Sequence, residues 1–164
     1  MPKQTSLQKA TFAAGCFWHV EETLRHVKGV VDARSGYSGG TVKDPSYKDV
    51  CTGKTGHAES VQVSFDPSVV SYEELLNAFW NLHDPTQHNQ QGPDIGSQYR
   101  SVIFYHTPEQ QAAATVSKEA LEKSGTYKKP IVTEIVSAGP FYEAEEYHQR
   151  GQRRQRENLA AGEI

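Results

Sequence analysis

The sequence predicts an α/β (α+β) fold in which helices cover one face of a mostly antiparallel sheet. Three observations carry that prediction. Apolar residues switch between two-residue and helical periods; the resulting stretches follow one another as β-α-β, β-α-β and α-β-α; and no repeat, low-complexity tract or composition break interrupts the 164 residues. Residues 1–164 therefore read as a single domain. The first six elements run βαββαβ, the order of a ferredoxin-like split unit, and two long loops are expected to carry function.

Thr11, Phe12, Ala13 and Ala14 form the first short buried strand. Val20, Leu24 and Val27 then recur at helical spacing over residues 18–28, and Gly29 ends the helix. Residues 30–37 read as a strand, and 38–55 as a loop opened by Ser38, Gly39 and Gly40. Over residues 57–65, Glu59, Val61, Val63 and Phe65 share one face while Ser60, Gln62 and Ser64 share the other, the alternation of a half-buried strand. The helix over 71–83 has the strongest local signals: Ser71 and Glu74 make a capping box, and Leu75, Leu76, Phe79, Trp80 and Leu82 supply a broad apolar face. A second loop, 84–98, rich in Pro, Gly, Gln and Asp, leads into a strand over 99–106. Pro108 opens a helix that runs to about 125, a strand follows over 130–136, and a polar helical tail begins at about 143.

Composition narrows the function classes. Two cysteines, Cys16 and Cys51, are too few for a disulfide scaffold. Residues 1–9 are polar and no apolar run approaches spanning length, so neither a signal peptide nor a membrane contact is predicted, and the expected setting is cytoplasmic with reduced thiols. A net charge of −3 argues against nucleic-acid binding, and Arg150, Arg153, Arg154 and Arg156 read as a solvated helix face or loose tail. Cys16 and His19 at C-x2-H spacing, with Cys51 ahead of His57, do not complete a zinc set, and no phosphate- or dinucleotide-binding glycine motif is present. No metal and no cofactor is predicted. A monomer is expected.

The residues with chemical potential lie at the turns. Cys16 falls between the first strand and the first helix, where unpaired N–H groups at a helix start stabilise a thiolate and are expected to lower the thiol pKa. Phe17 and Trp18 cannot both turn inward behind a helix start, so at least one is expected to wall an apolar pocket beside the sulfur. An inert, buried cysteine is the competing reading. Glu59 points with the apolar face of its strand, where burial raises a carboxyl pKa and keeps it protonated as a general acid; the competing reading is a solvated residue at a fraying strand end. Tyr37, Tyr47 and Tyr99, the last five residues after Asp94, offer neutral phenolic donors suited to a polarised oxygen, although each alone reads more readily as an ordinary half-buried aromatic. His57, His83, His106 and His148 stay open as a base. Together these groups suggest attack by a cysteine on a substrate that bears a polar oxygen beside small apolar groups.

Motifs in order along the chain sharpen this. GCFW at 15–18, GYSGG at 36–40, Pro45-Ser46-Tyr47 followed by Val50-Cys51, TGHAESVQVSFDP at 55–67, HDPTQ at 83–87, DIGSQYRS at 94–101 and FYEAEEYHQ at 141–149 resemble the methionine sulfoxide reductase A family, the peptide methionine-(S)-S-oxide reductases. The resemblance spans residues 11–149. It implies an α/β sandwich around a ferredoxin-like unit and reduction of methionine-S-sulfoxide, free or in proteins. It also implies Cys16 as the nucleophile on sulfur, Glu59 as the acid for the sulfoxide oxygen, and Tyr47 and Tyr99 as phenols that hold that oxygen. Asp94 would order the site, Phe17 and Trp18 would hold the S-methyl group, and His148 would lie on the rim. Cys16 would end as a sulfenic acid.

Three positions depart from the family pattern. His19 stands where a glycine is usual, Pro93 stands for an asparagine beside Asp94, and the terminal GQRRQRENLAAGEI lacks the glycine-rich, cysteine-bearing tail that many members use. An external reductant is therefore expected, either a small thiol or a thioredoxin- or glutaredoxin-like donor. A Cys16 to Cys51 disulfide is the minority alternative, since it needs Cα atoms within about 7 Å. Two other function classes compete: a recognition module without recycling, and a thiol hydrolase.

Overall fold

Strand parity places Glu59, Val61, Val63 and Phe65 inside, and the strand that carries them, β3 (Ala58–Phe65), lies between β1 (Gln8–Ala14) and β2 (Val30–Ser38) with antiparallel pairing on both sides. The computed structural model describes residues 7–52, 54–92 and 94–144. Its remaining elements are α1 (Phe17–Arg25), α2 (Tyr47–Cys51), α3 (Tyr72–Leu82), β4 (Gln90–Gln91), β5 (Asp94–Ile95), β6 (Ser101–Tyr105), α4 (Pro108–Lys123), β7 (Glu134–Ser137) and β8 (Phe141–Glu143), with a 3-10 turn at Ser97–Tyr99.

The main sheet has six strands in the order β7-β6-β1-β3-β2-β8. Its inner four, β6-β1-β3-β2, are all antiparallel and have the order of the ferredoxin-like unit predicted from βαββαβ. β7 adds a parallel edge beside β6, and β8 adds an antiparallel edge beside β2.

The apolar face follows from the two-residue period. Ala10, Phe12 and Ala14 of β1, Ala33 and Tyr37 of β2, Val61, Val63 and Phe65 of β3 and Ile103 of β6 form one buried layer with Phe17, Val20 and Leu24 of α1 and Leu75, Leu76 and Phe79 of α3. Phe12 stacks on Phe79 at 5.2 Å and on Tyr72 at 6.1 Å, which locks α3 to the centre of the sheet. The helix predicted over 71–83 has its expected cap: the Ser71 hydroxyl accepts from the N–H of Glu74, whose carboxylate accepts from the N–H of Ser71. On the opposite face Ala13, Ala58, Val102 and Phe104 make a smaller cluster.

Several expected boundaries shift. The loop 38–55 contains α2, because Ser46 and Asp49 form a second capping box. Tyr99 is not in a strand: its N–H bonds Gly96 and the Arg100 N–H bonds Ser97, so local turns replace the ladder until Ser101. The strand expected over 130–136 starts only at Glu134, since the Val132 N–H is committed to the Pro85 carbonyl. Residues 141–143 form a further strand, β8, reaching the position near 143 where a helical tail was expected to begin, held by pairs from Tyr37 to Tyr142 and from Ser38 to Phe141. The rest of the expected tail, with His148 and the arginine cluster, lies outside the described residues.

Candidate active site

The chain leaves β1 through Gly15 at φ +96°, a left-handed turn that costs glycine little, and enters α1 with Cys16 as its N-cap. The thiol is half-buried. Backbone N–H groups of Trp18 and His19 face the sulfur and favour the thiolate, as the helix start predicts. The expected lowering of the thiol pKa is nevertheless wrong. Burial is the largest influence and pushes the Cys16 thiol up, with Glu59 and Asp94 adding to the rise through their charges. Removal of the sulfur from water outweighs two N–H groups of one helix turn.

Glu59 is 1 % exposed, which excludes the frayed-end reading. It pairs across the ladder with Tyr37, and its Oε1 accepts the backbone N–H of Phe17 at 3.3 Å. Burial pushes its pKa up to about 8, the Phe17 bond opposes that rise, and Asp94 adds to it. The carboxyl is therefore mostly neutral at pH 7. Oε1 accepts from Phe17, and the other carboxyl oxygen, Oε2, is a buried atom with no hydrogen-bond partner among the described residues.

Phe17 turns inward at 1 % exposure, with its ring 5.7 Å from Tyr37 and 6.4 Å from Tyr47. Trp18, the next residue, is half-buried, and His19 is exposed. Of the two aromatics after the cysteine, Phe17 builds the floor and Trp18 reaches the surface. Tyr47, Asp94 and Tyr99 are half-buried, on α2, β5 and the 3-10 turn that packs against β3. Cys16, Glu59 and Asp94 thus lie within electrostatic reach of one another, and Phe17 and Tyr47 share a stack beside them. His148 and the Cys51 side chain lie outside the described residues. Among the described residues no cluster of His, Cys, Asp and Glu could hold a metal ion, and no helix is long and apolar enough to cross a membrane.

The model of the peptide methionine sulfoxide reductase family matches residues 8–161. The chain belongs to that family. It is 61 % identical over 150 residues to a peptide methionine sulfoxide reductase MsrA of Methanoculleus marisnigri, covering 92 % of each chain. To the MsrA of Methanosarcina acetivorans it is 65 % identical over 144 residues, 88 % of this chain and 77 % of the relative. Among solved structures, reduced Mxr1 of Saccharomyces cerevisiae superposes with a TM-score of 0.87 at 37 % identity, covering 94 % of this chain and 88 % of Mxr1. Methionine sulfoxide reductase A of Corynebacterium diphtheriae superposes at 0.82 with 33 % identity, covering 95 % and 78 %.

In this reductase-family chain, His57 and His83, which the sequence leaves open as a base, and Arg100, which it leaves without a role, hold the loops in place. The buried His57 accepts the Gly40 N–H on Nδ1 at 3.0 Å and donates from Nε2 to the Val42 carbonyl at 2.6 Å, which pins the GYSGG loop to the start of β3. Arg100 donates to the carbonyls of Ser97 at 2.9 Å and Gly56 at 2.8 Å, tying the Tyr99 turn to that same segment. His83 bonds the Phe79 carbonyl at 2.9 Å and the Ser101 hydroxyl at 2.7 Å; burial pushes its pKa down to about 4, so the ring is neutral. All three stand inside the quoted motifs, but a single sequence names no partner for them.

Proposed function

We propose that this methionine sulfoxide reductase acts on methionine-S-sulfoxide, free or in proteins, with Cys16 as nucleophile and Glu59 as acid. The observation that carries the reading is the Phe17 N–H bond to Glu59 at 3.3 Å, which fastens a neutral carboxyl to the residue directly after the cysteine. Tyr47 and Tyr99 hold the sulfoxide oxygen, Asp94 orders the site, and Phe17 and Trp18 wall the S-methyl group.

In the step itself, the Cys16 sulfur forms a bond to the sulfoxide sulfur while the Glu59 proton moves to the oxygen. The thiol proton passes to the carboxylate that Glu59 leaves behind. The sulfur–oxygen bond and the transient bond between the two sulfurs both break, the hydroxyl ends bonded to the Cys16 sulfur as a sulfenic acid, and methionine departs reduced by two electrons. The raised Glu59 pKa suits this exchange, because a carboxylate near pKa 8 is a better acceptor for the thiol proton than an ordinary one.

An external thiol then restores Cys16, either a small thiol or a thioredoxin- or glutaredoxin-like protein. A structure of Mxr1 in complex with Trx2, whose matched chain superposes with a TM-score of 0.64 at 27 % identity over 89 % of this chain and 86 % of that one, supports a protein reductant. The chain works as one catalytic domain and as a monomer, in a cytoplasmic setting.

The test counts free thiols after one equivalent of methionine-S-sulfoxide, in wild type and in Cys51→Ser. Loss of one thiol in both marks a sulfenic acid on Cys16; loss of two in wild type marks a Cys16 to Cys51 disulfide. Cys16→Ser is expected to form no methionine at all, and retained turnover would sink the assignment.

A further inference from the structure

Gln91 touches both parts of the site and has no role so far. Its Oε1 accepts the Asp84 N–H at 2.9 Å while its Nε2 donates to the Asp84 carbonyl at 2.9 Å, so one side-chain amide satisfies both backbone groups of one residue. A β-carbon built on Gly15 would lie 2.9 Å from Cβ and Cγ of Gln91, so the methylenes rest directly on the residue before Cys16. In the hairpin formed by β4 and β5, Gln91 is the register partner of Asp94.

Both ends of this joint are themselves fixed. Asp84 follows the anchored His83, and its carboxylate accepts from the N–H and the hydroxyl of Thr86 at 2.9 and 2.6 Å. The Gly92 N–H donates to Gln87 at 2.7 Å, and the Gly96 N–H donates to the Asn89 carbonyl at 2.8 Å, so the hairpin has little freedom to slide along its own loop.

We propose that Gln91 is a positioning residue for the reductase step, gripping Asp84 with its amide and Gly15 with its methylenes so that Asp94 keeps its register with Cys16. The inference rests on the assignment of Cys16, Glu59 and Asp94 above. Gln91 does not meet the substrate; it acts through Asp94.

Gln91→Met separates the parts of this device, because methionine keeps the stem on Gly15 and loses both amide bonds. Sulfenic acid formation in a single turnover should slow about 10- to 100-fold, as a displacement near 1 Å does in a preorganised site. Substrate affinity should stay within about twofold, the mark of an interaction expressed at the transition state. In an Asp94→Asn background, Gln91→Met should add less than about twofold, since the residue it serves has already lost its charge. Gln91→Glu, which retains the acceptor for the Asp84 N–H and loses the donor, should fall between wild type and Gln91→Met and covers the case in which methionine fails to fold. Independent slowings that multiply in the double variant, a wild-type rate in Gln91→Met or Gln91→Glu, or a loss confined to affinity would each overturn the inference. Failure of the underlying assignment looks different: Cys16→Ser would turn over, or Asp94→Asn alone would react at the wild-type rate.

Discussion

The backbone N–H of Phe17 donates to Oε1 of Glu59 at 3.3 Å, joining residues 42 positions apart. That bond makes the first turn of α1 and the start of β3 one unit. It also leaves the second oxygen of a mostly neutral carboxyl, Oε2, buried without a hydrogen-bond partner among the described residues.

Glu59 as an acid has a kinetic signature. With its pKa pushed up to about 8, the reductase step should fall as pH rises through 8 and the carboxyl ionises. Glu59→Gln should lose that alkaline fall and retain more activity than Glu59→Asp or Glu59→Ala, because an amide still donates a hydrogen bond. Single-turnover rates against pH decide this; equal losses in all three variants would count against the role.

The same shift costs stability. Between the ordinary value of 4.5 and about 8, folded Glu59 holds a proton that the unfolded chain has released, so stability falls as pH rises through that window and levels off above it. Glu59→Gln carries no such loss. The variant should therefore melt above wild type at pH 8, by an amount on the order of a few kcal/mol, and the gap should close below about pH 4.5. Thermal or urea unfolding at both pH values measures it.

His83 has the opposite sign. Its folded pKa of about 4 lies below the ordinary 6.5, so between those values the unfolded chain binds the proton and the folded chain does not. The stability is present above pH 6.5 and lost as pH falls toward 4. His83→Gln should flatten that acid limb by on the order of 2 to 3 kcal/mol relative to wild type. At neutral pH it should cost about 1 to 3 kcal/mol, because the buried Ser101 hydroxyl loses a partner. Urea unfolding across pH 4–7 reads both effects.

Arg100 predicts a split between fold and rate. Arg100→Met removes the bonds to the Ser97 and Gly56 carbonyls and frees the turn that carries Tyr99. Melting should shift by the equivalent of about 1 to 3 kcal/mol, and sulfenic acid formation should slow about tenfold or more. A variant that loses stability and keeps its single-turnover rate would separate this turn from the chemistry.

Much of the fold was legible because its signals are local. The alternation from Glu59 to Phe65, the Ser71 and Glu74 capping box and the helical spacing of Val20 and Leu24 each depend on neighbours within one or two turns, and the βαββαβ order follows from their sequence. What misled the reading was competition for backbone hydrogen bonds. The Val132 N–H goes to Pro85 and the Tyr99 N–H to Gly96, so stretches with strand composition do not join the ladder there, while Phe141–Glu143 does because β2 presents a free edge to it.

By itself, the sequence determined which residues could act: a cysteine at a helix start, a carboxyl on an apolar strand face, phenols in long loops, and motifs that resemble one family. Only the tertiary structure decided their electrostatic state and their supports. Cys16 was expected to have a lowered pKa and has a raised one, because desolvation is set by everything packed around the sulfur and not by the helix turn it caps. Gln91 reads as an ordinary loop residue until the structure folds its own loop back through Asp84 and Asp94 and seats it on Gly15, 76 residues earlier in the chain. Burial and long-range contact depend on the whole packed chain, so no local pattern could have announced either.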